Sequence, residues 1–432
     1  MTHKKYSIVL LAMSLPLASL AKGDADEDLW NDDWQEQEVT SSSSWHGFVE
    51  LGYGNRTKTD RLYDQQHTLN EARIYLENSK DWDNFSVSFK GEAWYDGVLS
   101  ETKGEIRELS LNFSAFGNTD VKIGRQISTW GTGDLLFVND LFPKDWQGYF
   151  NGRDDVYVKA PANAIRVTSY YDALNLDLVW TPRFTPDNFI NGERYSFFSP
   201  LAGMQVGGED VINDIHPQHT LGNGELALRL YKNIEGTEYA LYGYNGFDKR
   251  PLGFNQDFRP VYHKRSAVGF SIRGNALEGL YNIEAITETA KEDRSGSDPA
   301  VNNSLSKLLI GYETELFPKF NIAFQYYVEW IHDYKNLMNN SLSPEFETKK
   351  KRHWITNRIT YQLMQDKLTF NLFSFYSPTD KDGFLRWNVN YRQDDNWNYI
   401  VGLNHIDGEK ESTFFAQFER ASNIYARVRY NF

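Results

Sequence analysis

Cysteine is absent from this chain of 432 residues. Its absence removes disulfide scaffolds, thiolate metal sites, c-type haem attachment and cysteine nucleophiles together. Long apolar runs are missing as well: beyond the leader, no stretch approaches the roughly 20 apolar residues of a membrane-spanning helix. No HExxH, GxSxG or CxxC pattern occurs, and the 9 histidines are scattered. His46, His353 and His405 lie on or beside predicted strands without a Ser/Asp spacing that supports hydrolysis, and alternation puts His353 on an outward face and His405 near a rim. Lys291–Asp298 is acidic enough to approach calcium but reads more simply as a solvated loop. No catalytic residue, metal or cofactor is therefore expected, and the chain reads as non-enzymatic. Positive charge is also in deficit, with a formal net charge of −14, which argues against nucleic acid as a partner.

Aromatic residues, by contrast, make up 15% of the chain, led by 28 Phe and 26 Tyr. A β-barrel in a membrane uses such rings as girdles at both interfaces. The first residues carry a secretion signal: Lys4 and Lys5, an apolar run from Tyr6 to Leu20, and the small residues Ser19 and Ala21 at the positions a signal peptidase reads. The reading is a signal peptide over 1–21, an acidic disordered periplasmic tail over 22–44, and a barrel over 45–432. The tail contains Trp30 and Trp34. They suit either a solubilising tail touching the barrel end or a docking motif for a periplasmic partner. The tail is too short for the folded plug of a TonB-dependent transporter.

From Trp45 onward the residues alternate with period two between turn signals. Ile424, Ala426, Val428, Tyr430 and Phe432 oppose Arg427, Arg429 and Asn431; Leu385, Trp387, Val389 and Tyr391 oppose Arg386, Asn388, Asn390 and Arg392. Short turns recur at Lys80–Asn84, Ala115–Thr119, Asp172–Asn175, Asn233–Gly236, Asn275–Glu278, Phe317–Lys319, Gln365–Lys367 and Asp394–Asn396. Long polar loops stand between them at Thr132–Pro161, Arg183–Gly222, Phe247–Tyr262, Lys291–Asn303, His332–Lys350 and Asp407–Ser422. That asymmetry predicts an all-β fold, a single transmembrane antiparallel barrel of about 18 strands, with 16 as the alternative. An even count returns both chain ends to the periplasm. Thr413–Glu419 does not fit as a strand under that parity and belongs to the last outer loop, as a helical turn. The terminal Phe432 after alternating apolar residues resembles the signal read by barrel-assembly machinery.

The segment GRQISTWG (Gly124–Gly131) resembles a pattern in proteobacterial outer-membrane barrels, including porin-like families that accompany inner-membrane exporters. The overall plan is similar to large substrate-specific porins and alginate-export-like barrels. The resemblance implies the barrel fold, an outer-membrane location and a channel role, and no substrate site. Arg125 breaks the alternation of Val121, Ile123 and Ile127, which suits either a β-bulge turning the guanidinium inward or a place near the rim.

Alternation places Glu50, Glu71, Arg73, Lys90, Glu92 and Glu108 inward in the first four strands. The last five strands contribute Arg358, Arg386, Arg392, Arg427 and Arg429, with no inward acid assigned there, so one wall sector is basic. The loop after strand five, from Trp130 to Asn163, carries Leu135, Leu136, Phe137, Val138, Leu141, Phe142, Trp146, Tyr149 and Phe150, which favour burial. Folding this loop into the lumen buries them and sets Asp134, Asp140, Asp145, Asp154 and Asp155 opposite the basic wall. An external lid over the mouth is the competing arrangement. Arg125 and Trp130 stand at its entrance. The expected function is a passive outer-membrane channel for hydrophilic solutes, with anionic ones as candidates. The alternative is an export barrel working with a periplasmic or inner-membrane partner. Outer-membrane lipid, lipopolysaccharide and the assembly machinery are the expected partners.

Overall fold

A computed structural model describes residues 44–432; the leader, Trp30, Trp34 and nearly all of the acidic tail lie outside the described residues. The chain from His46 to Asn431 forms 18 antiparallel strands in one closed sheet. They are β1 (His46–Arg56), β2 (His67–Trp82), β3 (Phe85–Asp96), β4 (Glu101–Ala115), β5 (Thr119–Gln126) and β6 (Ala162–Ser169). Next come β7 (Asn175–Thr181), β8 (Glu225–Ile234), β9 (Thr237–Phe247), β10 (Lys264–Ala276), β11 (Gly279–Ala290) and β12 (Leu305–Phe317). The last are β13 (Phe320–Ile331), β14 (Lys351–Leu363), β15 (Leu368–Ser377), β16 (Asp382–Arg392), β17 (Trp397–Gly408) and β18 (Asn423–Asn431).

Each strand pairs with its sequence neighbours, and β1 closes against β18 with Phe48 opposite Asn431 and Arg56 opposite Asn423. The terminal Phe432 completes the seam through backbone bonds of 2.9 and 3.0 Å with Gly47. Closure leaves no strand edge unpaired, which a bilayer requires. Every predicted short turn joins two strands on one side of the barrel, and every predicted long loop lies on the other. Ala416–Ala421 is a 3-10 helix within the last long loop, as the parity argument expected for that segment.

The outer face is apolar at mid-height, with Leu51, Leu241, Val268, Ile310, Phe324 and Val401 all exposed. Rings crowd its short-turn rim: Trp82 stacks on Phe85 at 4.8 Å, Phe317 on Phe320 at 4.5 Å, and Trp397 on Tyr399 at 6.3 Å. A lipid-facing band bordered by aromatic girdles follows from period-two alternation on a closed sheet. A bulge that bears on the lumen lies in β4. There Lys90 pairs with Glu108 and Gly91 with Ile106, so Arg107 is the extra residue.

Candidate functional site

The loop between β5 and β6 turns into the lumen. Its entrance is fixed by Trp130, whose indole donates to Asp177 of β7 at 3.0 Å while its ring packs on Phe142 and Tyr242. Gly131 follows at φ +89°, and a Cβ there would sit 3.2 Å from a carboxylate oxygen of Glu284. Glycine lets the chain pass that close to β11. Glu284 is fully buried and receives the backbone and hydroxyl of Thr132 and both donors of Asn139, the last at 3.1 and 2.8 Å. One carboxylate thereby pins two turns of the loop to the wall.

Apolar side chains hold the next stretch. Leu135, Leu136, Val138, Tyr149, Phe150 and Val158 are buried against inward residues of β15 to β17, including Phe373, Phe375, Phe384 and Ile406. Phe415 and Phe418 of the last outer loop join that cluster. A short helix, α1 (Trp146–Phe150), follows with Asp145 as its cap, accepting from the Gly148 amide at 2.8 Å. Burial raises the Asp145 carboxyl above its ordinary range, against the pull of Arg153. After α1, Gly152 takes φ +80°, where any Cβ would meet the Tyr425 ring at 2.3 Å.

The run Arg153, Asp154, Asp155 then meets the wall. Asp154 bridges Arg427 and Arg429, with a 2.6 Å bond to the latter, and Glu50 holds the same two arginines at 3.3 and 2.7 Å. Asp155 joins Arg386 at 2.7 Å to Arg358 at 3.1 Å, and Asp134 grips Arg358 from the other side. Arg153 pairs with Glu71, which also takes Arg73 at 3.2 Å. The chain continues through Glu92 and Arg107, then from Arg107 to Glu105 at 3.7 Å, and ends with Arg125 on Glu105 at 3.0 Å. Burial disfavours the charged form of Asp154, but the attraction of Arg427 and Arg429 outweighs it and holds the carboxyl well below its usual range. Asp155 is lowered in the same way by Arg386 and Arg358, whereas burial leaves Asp134 raised despite Arg358.

The predicted residues therefore fall into groups. Asp134, Asp154 and Asp155 meet Arg358, Arg386, Arg427 and Arg429 in direct ion pairs. Asp140 instead binds Lys144 at 2.9 Å and Thr129 at 2.8 Å inside the loop. Arg392 ends β16 at the short-turn side, about 20 Å along the strand from Arg386, and belongs to a different level of the lumen. Of the other inward predictions, Lys90 lies 3.8 Å from Glu77, and Glu108 pairs with Lys122 at 2.6 Å. Arg125 keeps the outward register of Ile123, opposite Leu109, and its guanidinium bonds the Ile106 carbonyl where the ladder breaks. The bulge is thus one strand away from where Arg125 suggested it.

Three features correct the sequence reading. Asp382 of β16 is an inward acid in the last five strands, buried and accepting the Phe415 amide at 2.7 Å. Arg107 also turns inward, because the bulge puts it on the same side as Glu108. A second loop, between β7 and β8, was read only as a long polar connection, yet it lies over the first. Its Asp187 accepts from the Lys144 amide at 2.8 Å and from Trp146 at 2.7 Å. Arg194 reaches across to Thr68 and Asp96, and Ser196 bonds Asp60 at 2.7 Å. The buried Tyr195 and Phe184 were the available signal in the sequence. In the loop after β11, Asp293 accepts from the Ser295, Ser297 and Asp298 amides, so that carboxylate is engaged by its own loop.

No protein-family model matches the sequence, and no curated protein matches it. The fold itself has clear likenesses among solved structures. Acinetobacter baumannii OccAB3 superposes with a TM-score of 0.54 at 11% identity, covering 90% of this chain and 99% of that one. The Pseudomonas aeruginosa outer membrane protein OpdK gives 0.54 at 10%, covering 90% and 99%. P. aeruginosa OccK2 (OpdF), solved in complex with glucuronate, gives 0.54 at 9%, covering 90% and 97%. The class of the protein is thereby defined: a multi-pass 18-stranded barrel with the fold of Gram-negative outer-membrane porins.

Proposed function

We propose that the protein is a porin-like channel that lets hydrophilic solutes cross the outer membrane without chemical change. The observation that carries this reading is the charged seam between the inward loop and the wall. Its arginines are mostly buried, while Asp154 and Asp155 keep 29% and 26% exposure. Eight guanidiniums (Arg73, Arg107, Arg125, Arg153, Arg358, Arg386, Arg427, Arg429) face eight carboxylates (Glu50, Glu71, Glu92, Glu105, Asp134, Asp145, Asp154, Asp155). The seam is balanced, so net charge alone does not select a solute.

Selection arises instead from exchange. A solute carboxylate of the right size takes the place of Asp154 or Asp155 on the paired guanidiniums, whose fork geometry suits any carboxylate. The glucuronate complex of the OpdF channel supports small sugar acids as the class to test. The experiment is a planar-bilayer recording of the purified barrel with glucuronate on one side. Transient, concentration-dependent blocks that vanish in the R427Q/R429Q double variant are expected. Conductance indifferent to glucuronate, with uncharged sugars passing equally well, would refute the anionic preference.

A further inference from the structure

From the arginines toward the short turns, the wall changes character. Over β14, β15 and β16, every inward position between the level of Arg358 and Arg386 and the terminal Arg392 is an amide or a hydroxyl. They are Thr360, Gln362, Thr369, Asn371, Asn388 and Asn390. No carboxylate or ammonium interrupts the six. Across the lumen, over β2 to β9, the short-turn half is built from ion pairs instead. Lys90 meets Glu77 at 3.8 Å, Lys122 meets Glu108, Arg166 meets Asp177 and Arg229 meets Glu238, the last three at 2.6 Å. Either kind of wall would keep a lumen wet, so wetting does not account for the difference.

The row nearest the arginines is held in order by its own bonds. Register sets Thr360 opposite Asn371, and Asn371 opposite Asn388. The Thr360 hydroxyl donates to Oδ1 of Asn371 at 3.1 Å, and the Asn371 amide donates to Oδ1 of Asn388 at 3.1 Å. The bonds run one way across three strands and end on Asn388, whose own amide nitrogen makes no hydrogen bond among the described residues. Asn388 is two residues from Arg386, and Thr360 is two from Arg358. The row therefore lies about 7 Å along the strands from the two guanidiniums that share Asp155. A six-membered ring with its carboxylate on those guanidiniums reaches that depth with its ring substituents. An amide offers both a donor and an acceptor, which is what a hydroxyl requires. A hydrocarbon ring in the same place would leave those groups without return.

We propose that Thr360, Asn371 and Asn388 are specificity-determining residues that read the hydroxyl groups of an acid held on Arg358 and Arg386. They favour polyhydroxy acids over unhydroxylated acids of the same size and charge. The inference rests on the carboxylate exchange described under the proposed function, and adds the part of the solute that guanidiniums do not read. Because the row is uncharged, a hydroxyl reaches it without opening an ion pair.

The test is equilibrium binding to the full-length folded barrel in detergent, a measurement that needs no conductance. The probes are glucuronate and cyclohexanecarboxylate, each one ring with one carboxylate, with and without hydroxyls. The parent is expected to bind glucuronate about tenfold more tightly than cyclohexanecarboxylate. The N371A/N388A variant should lose about tenfold on glucuronate and less than about twofold on cyclohexanecarboxylate, so that the preference disappears. The single N388A variant should lose about threefold on glucuronate alone, which keeps the test open if the double variant does not fold. Equal binding of the two acids by the parent would overturn the inference and leave the carboxylate exchange standing. An equal loss of both acids in the variants would also overturn it, because a row that only shapes the wall does not tell the two probes apart. Binding of neither acid by the parent would instead refute the exchange itself, and this inference with it.

Discussion

Neutralising Asp154 should convert the channel toward anion preference. The carboxylate lies between Arg427 and Arg429, and Glu50 remains on both after its loss, so the D154N variant leaves one net positive charge at the seam. A unit charge about 7 Å from a passing ion in water contributes about 0.6 kcal/mol. Screening at 0.1 M salt, with a Debye length of about 10 Å, halves that to about 0.3 kcal/mol. Local anions are then enriched about 1.7-fold and cations depleted by the same factor, so the anion-to-cation permeability ratio rises about threefold. At 1 M salt, with a Debye length of about 3 Å, the difference should nearly vanish. Reversal potentials in a salt gradient across a planar bilayer measure the ratio. The loop should stay seated, because Glu284 and the apolar cluster are unchanged. Breaking a buried pair costs roughly 3–5 kcal/mol, and the exposure of Asp154 together with the remaining Glu50 reduces this to about 1–2 kcal/mol. A ratio unchanged at low salt, or a shift that persists undiminished at high salt, would refute the reasoning.

The R427Q/R429Q variant should move selectivity the other way, toward cations, because Glu50 and Asp154 then stand uncompensated; reversal potentials with the opposite sign check it. Replacing Glu284 with Ala strands the donors of Thr132 and Asn139 and should cost the loop about 3 kcal/mol of anchoring, read as faster protease cleavage within 127–161 and noisier open-channel current. Acidification separates two acids. Asp154 titrates below its ordinary value, so its contribution is complete above the usual carboxylate range and is lost only as pH falls through the lowered value. The D154N selectivity shift should therefore be as large at about pH 4.5 as at pH 7. Asp134 has the opposite sign: burial raises it, so the cost of its charge is present at neutral pH and disappears as pH falls through the raised value. The difference between the parent and the D134N variant should accordingly shrink at about pH 4.5, and a constant difference would contradict the burial argument.

The barrel was legible because period-two alternation and loop asymmetry are local signals that packing did not override. The C-terminal Arg427 and Arg429, two residues apart on one face, were assignable for that reason. The inward fold of the loop after β5 was legible from its apolar residues, which have no stable place in water. What escaped reading involved breaks in parity or contacts between distant loops. Arg107 was hidden by a bulge that shifts the face of every residue on one side of it, and Arg125 drew attention to the neighbouring strand instead. Glu284 carries no local mark in the sequence, since nothing nearby announces that Thr132 and Asn139, some 150 residues earlier, come to meet it. The covering loop 182–224 carries its buried Phe184 and Tyr195 amid polar residues, too sparsely to show a period.

The central claim is that two loops narrow a conducting lumen without sealing the protein's function. It is tested most directly by recording single-channel current from the purified, folded barrel beside a variant whose residues 132–160 are replaced by a short glycine linker. Discrete conductance steps are expected in both, larger in the shortened variant. Silence in both would contradict the account and point to a barrel that serves as a scaffold instead of a passage.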